Sequence, residues 1–442
     1  MVKMNVQRWM FIWSIALGFL GCGNDFEAPV ETDLEEKDSG WLADDSYEVN
    51  AVLTGIVQQA ANGDWADLQY DDELQAQLVD QQIKFAKNTA EANGWRFNQL
   101  AENVVVDELT VADNIVTIKY RATVDMLGRL GGFGFTPRLA TLENAKFDVT
   151  VPLFPASIQY EDYKNCGETD DPDVWVRGYN FHYYFKPTKA ECEMALGEVD
   201  IQVTEVFERV IAYPEYDRLL QDLDSGRLGF RAALVPNRGD NDPMSRFDAH
   251  RKMLESDLGL RGTDSADGRY RSYVYERGGV AIEIDLYNPT VLEGTDNFAD
   301  GFRRRLAEYT LVHYNGHSSY GSKHLLDDPE AYSDAYQIII MHSCQSYAYY
   351  SRQVFRAKAT SADPAGFDGA DVIATGKSSY PSGSPPTTRA LLSSLMAGMV
   401  AVNDGQPEQA PDWLTISERI TDSTWGDILY GVAGVRTNKW QP

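Results

Sequence analysis

TLVHYNGHSS (Thr310–Ser319) and YQIIIMHSCQS (Tyr336–Ser346) decide how the second half of this 442-residue chain folds. Each carries a short, dense apolar run bounded by polar residues or glycine, the signature of a buried strand. His317 then stands where the first strand ends, just after Gly316. Cys344 stands where the second ends. The same window holds His313, His324 and His342, so four of the six histidines of the chain lie close to that cysteine.

The flanks extend the pattern. GFRAALVP (Gly229–Pro236) is a buried strand. NRGDNDP follows, with Asp242 as a helix cap and Pro243 at the first helical position; that helix should run to about Asp257 and stop near Gly259. YRSYVYERGGVAIEIDLY (Tyr270–Tyr287) follows, then a helix around Phe298–Tyr309, a strand at Asp371–Gly376 and a helix at Thr387–Val402. Alternating strands and helices predict an α/β domain over residues 225–442. Its sheet should be mainly parallel with helices on both faces. Sites in such sheets form at the C-terminal ends of strands.

The preceding stretch reads differently. Ser46–Gly63 and Asp71–Gly94 place apolar residues at helical spacing and end on glycine, predicting two helices. Asn114–Met126, Lys146–Tyr160, Val174–Phe185 and Glu198–Val210 alternate with a period of two, predicting antiparallel strands. Residues 46–224 are therefore expected to form a strand-rich α+β accessory domain, with Glu215–Gly229 a short helix and connector. Its one histidine, His182, sits in an aromatic run and reads as structural.

Lys3 and Arg8 precede the apolar run Trp9–Gly21, which is short for a membrane span and reads as a signal segment. FLGC, with Gly21 before Cys22, resembles the lipobox of bacterial lipoproteins, with Phe19 where leucine is usual. The resemblance implies cleavage after residue 21, lipidation of Cys22, and export to the periplasm or cell surface on a membrane anchor. Gly23 in place of aspartate points to the outer membrane. Residues 22–45 read as an acidic tether. A formal net charge of −28 repels phosphate backbones and argues against a nucleic-acid partner. Cys166 and Cys192 in an exported chain are expected to pair as a disulfide. Cys344 is left over and needs another explanation.

Adjacent parallel strands would bring His317 and Cys344 to one rim, where an imidazole can take a thiol proton. A helix starting after Cys344 would add a positive dipole end behind the sulfur. These residues resemble the clan CD cysteine peptidases, the group of gingipains, clostripain, legumains and caspases. There, a strand ending in His-Gly precedes a strand ending in the nucleophilic cysteine. LVHYNGHSS is most similar to the gingipain form. The resemblance spans about residues 225–402 and is sharp only over 311–347. It implies a caspase/gingipain-like fold and hydrolysis of a protein or peptide substrate without a cofactor or metal. Cys344 would be the nucleophile and His317 the base and acid, with the N–H groups of Ser318 and Cys344 as the oxyanion hole. Ser318 departs from the glycine of the relatives. His342 departs from the aspartate found in many of them and, sharing a strand face with Cys344, can assist or fill the core.

Two rival chemistries use the same residues. A catalytically inactive peptidase-like scaffold accounts for Ser318. A zinc-dependent hydrolase would draw on His313, His317, His324, His342 and Cys344, without the tight paired spacing of zinc motifs. NRGDNDP offers oxygens for Ca²⁺ but lacks a full loop pattern. Asp363 and Asp368 are candidates to select a basic residue, and Ala374–Arg389 is a candidate site-lining loop.

Overall fold

The computed structural model describes residues 41–44, 46–92, 94–97, 102–129, 142–168, 181–295, 297–319, 325–426 and 428–442. The signal segment, Cys22, most of the tether and His324 lie outside them. Two sheets organise the chain, in a mixed α/β arrangement. The first has six strands: β1 (Ser46–Ala60), β2 (Trp95–Phe97), β3 (Glu102–Ala112), β4 (Ile115–Arg129), β5 (Lys146–Pro152) and β6 (Leu196–Val206). All its pairings are antiparallel, in the order β2-β4-β1-β6-β5 with β3 also on β4.

The expected helix over Ser46–Gly63 is instead β1, the longest strand together with β4. Val49, Ala51, Leu53 and Val57 are buried while Thr54 and Ile56 are exposed, a period of two. The β-branched content suits a pleated surface, and fifteen consecutive residues pair with β4. Helix α1 (Asp72–Ala92) forms as expected and covers one face of the sheet through Leu78, Val79, Ile83 and Ala86. Its Gln82 amide donates to the carbonyls of Ile56 and Pro152, and its Oε1 accepts from the Tyr120 hydroxyl. Gly55 makes this possible: a methyl group there would lie 2.6 Å from that hydroxyl. Gly55→Ala should therefore cost about 1–3 kcal/mol by overpacking, read from urea unfolding midpoints. A cost near zero would show that Tyr120 swings aside.

Helix α2 (Tyr160–Cys166) leads into the Cys166–Cys192 disulfide, which is present. Of the expected strand Val174–Phe185, residues 174–180 lie outside the described set. Phe181–Tyr183 form a single 3₁₀ turn whose rings pack on Phe85. Burial pushes His182 down to about 3, so it is a neutral packing group.

The second sheet has nine strands: β7 (Gln221–Asp222), β8 (Leu228–Pro236), β9 (Thr263–Asp264), β10 (Tyr270–Arg277), β11 (Val280–Tyr287), β12 (Leu311–Asn315), β13 (Gln337–His342), β14 (Ala370–Thr375) and β15 (Tyr430–Ala433). Its order is β15-β14-β13-β12-β8-β11-β10-β9, with β7 on β8. The expectation of a mainly parallel sheet holds only at the centre. The pairs among β14, β13, β12, β8 and β11 are parallel, while β15, β10, β9 and β7 run antiparallel. Across both sheets antiparallel pairings predominate. The glycine pair Gly278-Gly279, both at positive φ, turns β10 back into β11 as a hairpin and supplies one antiparallel margin.

Helices α3 (Tyr216–Leu219), α4 (Ser245–Lys252), α5 (Pro289–Thr295), α6 (Phe298–Glu308), α7 (Ser346–Lys358), α8 (Ser384–Asn403) and α9 (Trp413–Asp422) complete the fold. They cover both faces of this sheet. Ile338 and Ile340 pack with Leu391, Leu395 and Trp413. Ile339 and Met341 pack with Phe302, Tyr350 and Val354 on the other side. Burial on both faces is why IIIM is unbroken rather than alternating. Residues 41–43, assigned to the tether, are part of the fold. Trp41, Leu42 and Ala43 are buried, and Leu42 exchanges both backbone hydrogen bonds with Val432 of β15. Their apolar side chains set them apart from the acidic run before them. The two sheets also meet at α7. Glu48 of β1, itself buried, accepts from the Tyr347 hydroxyl at 3.1 Å, and Asp125 of β4 pairs with Arg352 at 3.0 Å. Among the described residues no helix is long and apolar enough to cross a membrane.

Candidate active site

Three neighbouring strands end in one row. Pro236 of β8, Asn315 of β12 and His342 of β13 are register partners. The chain leaves each at the same rim, carrying Asp240, His317 and Cys344 four, two and two residues further on. The Gly316 N–H bonds to the His342 carbonyl, so the two loops remain paired for one residue past the strands.

His317 is exposed, and its Nε2 lies 2.8 Å from Asp240 Oδ1. A carboxylate only accepts, so Nε2 carries the proton and Nδ1 is the free base of the neutral ring. That hydrogen bond, aided by the Arg246 guanidinium, holds the Asp240 carboxyl below the usual carboxylate range. Arg246 is almost fully buried at the start of α4. It sits 3.4 Å from Asp240 Oδ2 and from His317 Nε2, and also donates to the Arg238 carbonyl. It thereby fixes the loop that presents Asp240. Sequence reading took this loop as a turn and a Ca²⁺ candidate and did not find Asp240. Asp242 caps locally, accepting from the Met244 N–H, and the helix proper begins at Ser245 rather than Pro243.

Cys344 is half-buried and is the free cysteine among the described residues. Its Sγ–H points at the Ser379 carbonyl, 3.5 Å away. Ser379 lies in the loop after β14, so Ala374–Arg389 does line this rim. Gln345 follows the cysteine at φ 49°, the left-handed region, and α7 begins at the next residue. A non-glycine residue held there stores strain of a kind that clusters at functional sites. The turn places the helix N-terminus, with its partial positive charge, beside the sulfur.

Ser318 is 5% exposed, so its side chain is enclosed by its neighbours. His342 is fully buried: Nε2 faces the Tyr380 carbonyl at 2.9 Å and Nδ1 the Tyr430 hydroxyl. Burial pushes it down to about 4, so the ring is neutral, donating from Nε2 and accepting at Nδ1. It pins the loop that carries Ser379. His313 points into the core instead, with Nε2 at 3.1 Å from Ser384 Oγ, which also meets His250 Nε2 at 3.1 Å.

The zinc grouping therefore disperses. His313, His317, His342 and Cys344 each face different partners, and no group of three metal-ligating side chains converges among the described residues. Asp363 and Asp368 are also removed from the site. They precede β14 and so lie at the opposite end of the sheet. There Asp363 accepts from the Gly366 and Asp368 N–H groups, and Asp368 pairs with Lys439. No protein-family profile matches the chain, and no curated protein matches it in sequence.

Proposed function

We propose that this chain is an exported cysteine peptidase with a caspase/gingipain-like catalytic domain, anchored through a lipid on Cys22. The observation that carries the reading is the register row Pro236–Asn315–His342, which gives Asp240, His317 and Cys344 a common rim. Asp240 orients the ring and leaves Nδ1 to receive the thiol proton. The Cys344 thiolate attacks the scissile carbonyl carbon, and the carbonyl π pair moves to oxygen as the tetrahedral oxyanion. Collapse breaks the C–N bond, and His317 gives its proton to the leaving amine, leaving a thioester. Water, losing a proton to His317, attacks that thioester, releasing the carboxylic acid and restoring the thiol. The N–H groups of Cys344 and Ser318 are the oxyanion donors in this reading; each such donor is worth roughly 10²–10³ in rate.

One observation favours the inactive scaffold as a second reading: the thiol is engaged by the Ser379 carbonyl. Labelling decides between them. The mature protein is treated with peptidyl acyloxymethyl ketones bearing basic, acidic or neutral residues before the reactive group, and the adduct is mapped by mass spectrometry. Expected is an adduct on Cys344 that is lost in His317→Ala. A folded protein that no member of the panel labels supports the scaffold and sinks the peptidase.

A further inference from the structure

Two buried tyrosines hold the peptide units on either side of Ser318. The Tyr314 hydroxyl donates to the His317 carbonyl at 2.8 Å, and the Tyr350 hydroxyl donates to the Ser318 carbonyl at 2.5 Å. Both side chains are fully buried. Burial pushes the Tyr314 hydroxyl up to about 12 and moves Tyr350 in the same direction, so both remain proton donors across the neutral range.

The His317 carbonyl and the Ser318 N–H belong to one planar trans peptide and point in opposite directions. Drawing the carbonyl inward onto Tyr314 therefore turns the N–H outward. Tyr350 fixes the next peptide plane, so both planes at the Ser318 Cα are set. Ser319, at φ 47°, then turns the chain away. Gly316 is required by this arrangement. A methyl group at that position would lie 2.3 Å from the Tyr314 hydroxyl and push it off the carbonyl. Tyr350 adds a link across the site: it belongs to α7, the helix that begins just after Cys344. The element behind one oxyanion donor thus orients the other.

We propose that Tyr314 and Tyr350 are positioning residues that preorganise the Ser318 N–H as an oxyanion donor, an inference that rests on the peptidase reading above. Donors aimed in advance at developing charge need no reorganisation during reaction, and that is the source of their effect. The alternative is that each hydroxyl merely satisfies a buried carbonyl.

The test uses Tyr314→Phe, Tyr350→Phe and the double variant of the mature chain. Each is assayed with a fluorogenic peptide matching the best-labelling ketone, with the corresponding peptide aldehyde, and with iodoacetamide. A loosened donor acts only on the tetrahedral state, so kcat should fall roughly 10- to 100-fold with KM within about twofold. The aldehyde, which forms a tetrahedral adduct, should bind more weakly by a similar factor. Iodoacetamide alkylation of Cys344 forms no oxyanion, and its rate should not change. Should Tyr314→Phe fail to fold, Gly316→Ala and Tyr350→Phe carry the same comparison. Retention of wild-type kcat and aldehyde affinity in the double variant overturns the proposal. So does a parallel loss of alkylation, which would mark a merely structural role. Wild-type protein that neither cleaves any peptide nor binds any aldehyde overturns the peptidase reading and this inference with it.

Discussion

Acidification from pH 7 to about pH 4.5 is expected to lower the melting temperature, because burial holds His250, His313 and His342, and His182 in the first sheet's domain, uncharged. Burial pushes His250 and His342 down to about 4, and His313 lies well below its ordinary value of 6.5. The unfolded chain therefore binds protons that the folded chain refuses. Their contribution is fully present above about pH 6.5 and is lost as pH falls toward the folded values. Each of His250 and His342 accounts for ~3 kcal/mol over that whole span. For a chain of this size the pair corresponds to a fall of roughly 7 °C. The geometry explains why they resist protonation. His250 donates from Nδ1 to the Arg246 carbonyl, so its Nε2 accepts from Ser384. Ser384 Oγ accepts in turn from His313 Nε2, and His313 Nδ1 has no partner. The cationic Arg246 adds repulsion at His342. Two carboxyls oppose the trend: burial raises Asp371 to about 7 and raises Asp44 above its ordinary value, so their share of stability grows as pH falls toward 3.8. His342→Gln keeps a donor for Tyr380 and should flatten the acid limb. A melting temperature that is level from pH 7 to 4.5 in the parent protein would contradict the neutral histidine cluster.

Exchanging Asp240 for asparagine should cut peptide hydrolysis by roughly 10²-fold, less than the ~10⁴ seen for a buried triad carboxylate, since Asp240 is exposed. The amide can present its N–H to Nε2, which favours the tautomer with the proton on Nδ1. The ring then lacks a free nitrogen for the thiol proton. Asp240→Glu restores the charge but not the distance and should fall between the two. The loss should appear in kcat, while iodoacetamide still alkylates Cys344 when the solution pH is raised. An Asp240→Asn protein with unaltered kcat would remove this carboxylate from the mechanism.

The central strands were legible because both their faces are buried, so TLVHYN and IIIM announce themselves as unbroken apolar runs. β1 was misread because its apolar residues Val49, Leu53, Ile56 and Val57 fall at i, i+4, i+7 and i+8, a helical spacing, and the run stops at Gly63. What decides for the pleat is the fifteen-residue pairing with β4, a non-local fact. The parallel centre followed from strand–helix alternation. The antiparallel margins did not, because β15 and β9 are short and carry little pattern. His317 and Cys344 stand out in the sequence by their positions at strand ends, and the strands that carry them do end in one row. Asp240 does not stand out, because it lies 77 residues from its partner in a loop whose local chemistry suits a turn equally well. The hydrogen bonds of Tyr314 and Tyr350 were equally hidden: a tyrosine in a strand or helix looks like core until its hydroxyl is seen on a particular carbonyl.

The docking of Trp41–Ala43 fixes a direction for the whole molecule. Leu42 pairs antiparallel with β15, and β15 is antiparallel to β14. Residues 41–44 therefore run alongside the parallel strands in their own sense, entering at the end of the sheet remote from the row of Asp240, His317 and Cys344. The fold is therefore entered at Trp41 from that underside. A lipid on Cys22 would be joined to it by Gly23–Gly40, a reach of up to ~60 Å when extended. Attachment to the fold would then lie at the end of the sheet opposite the row of Asp240, His317 and Cys344.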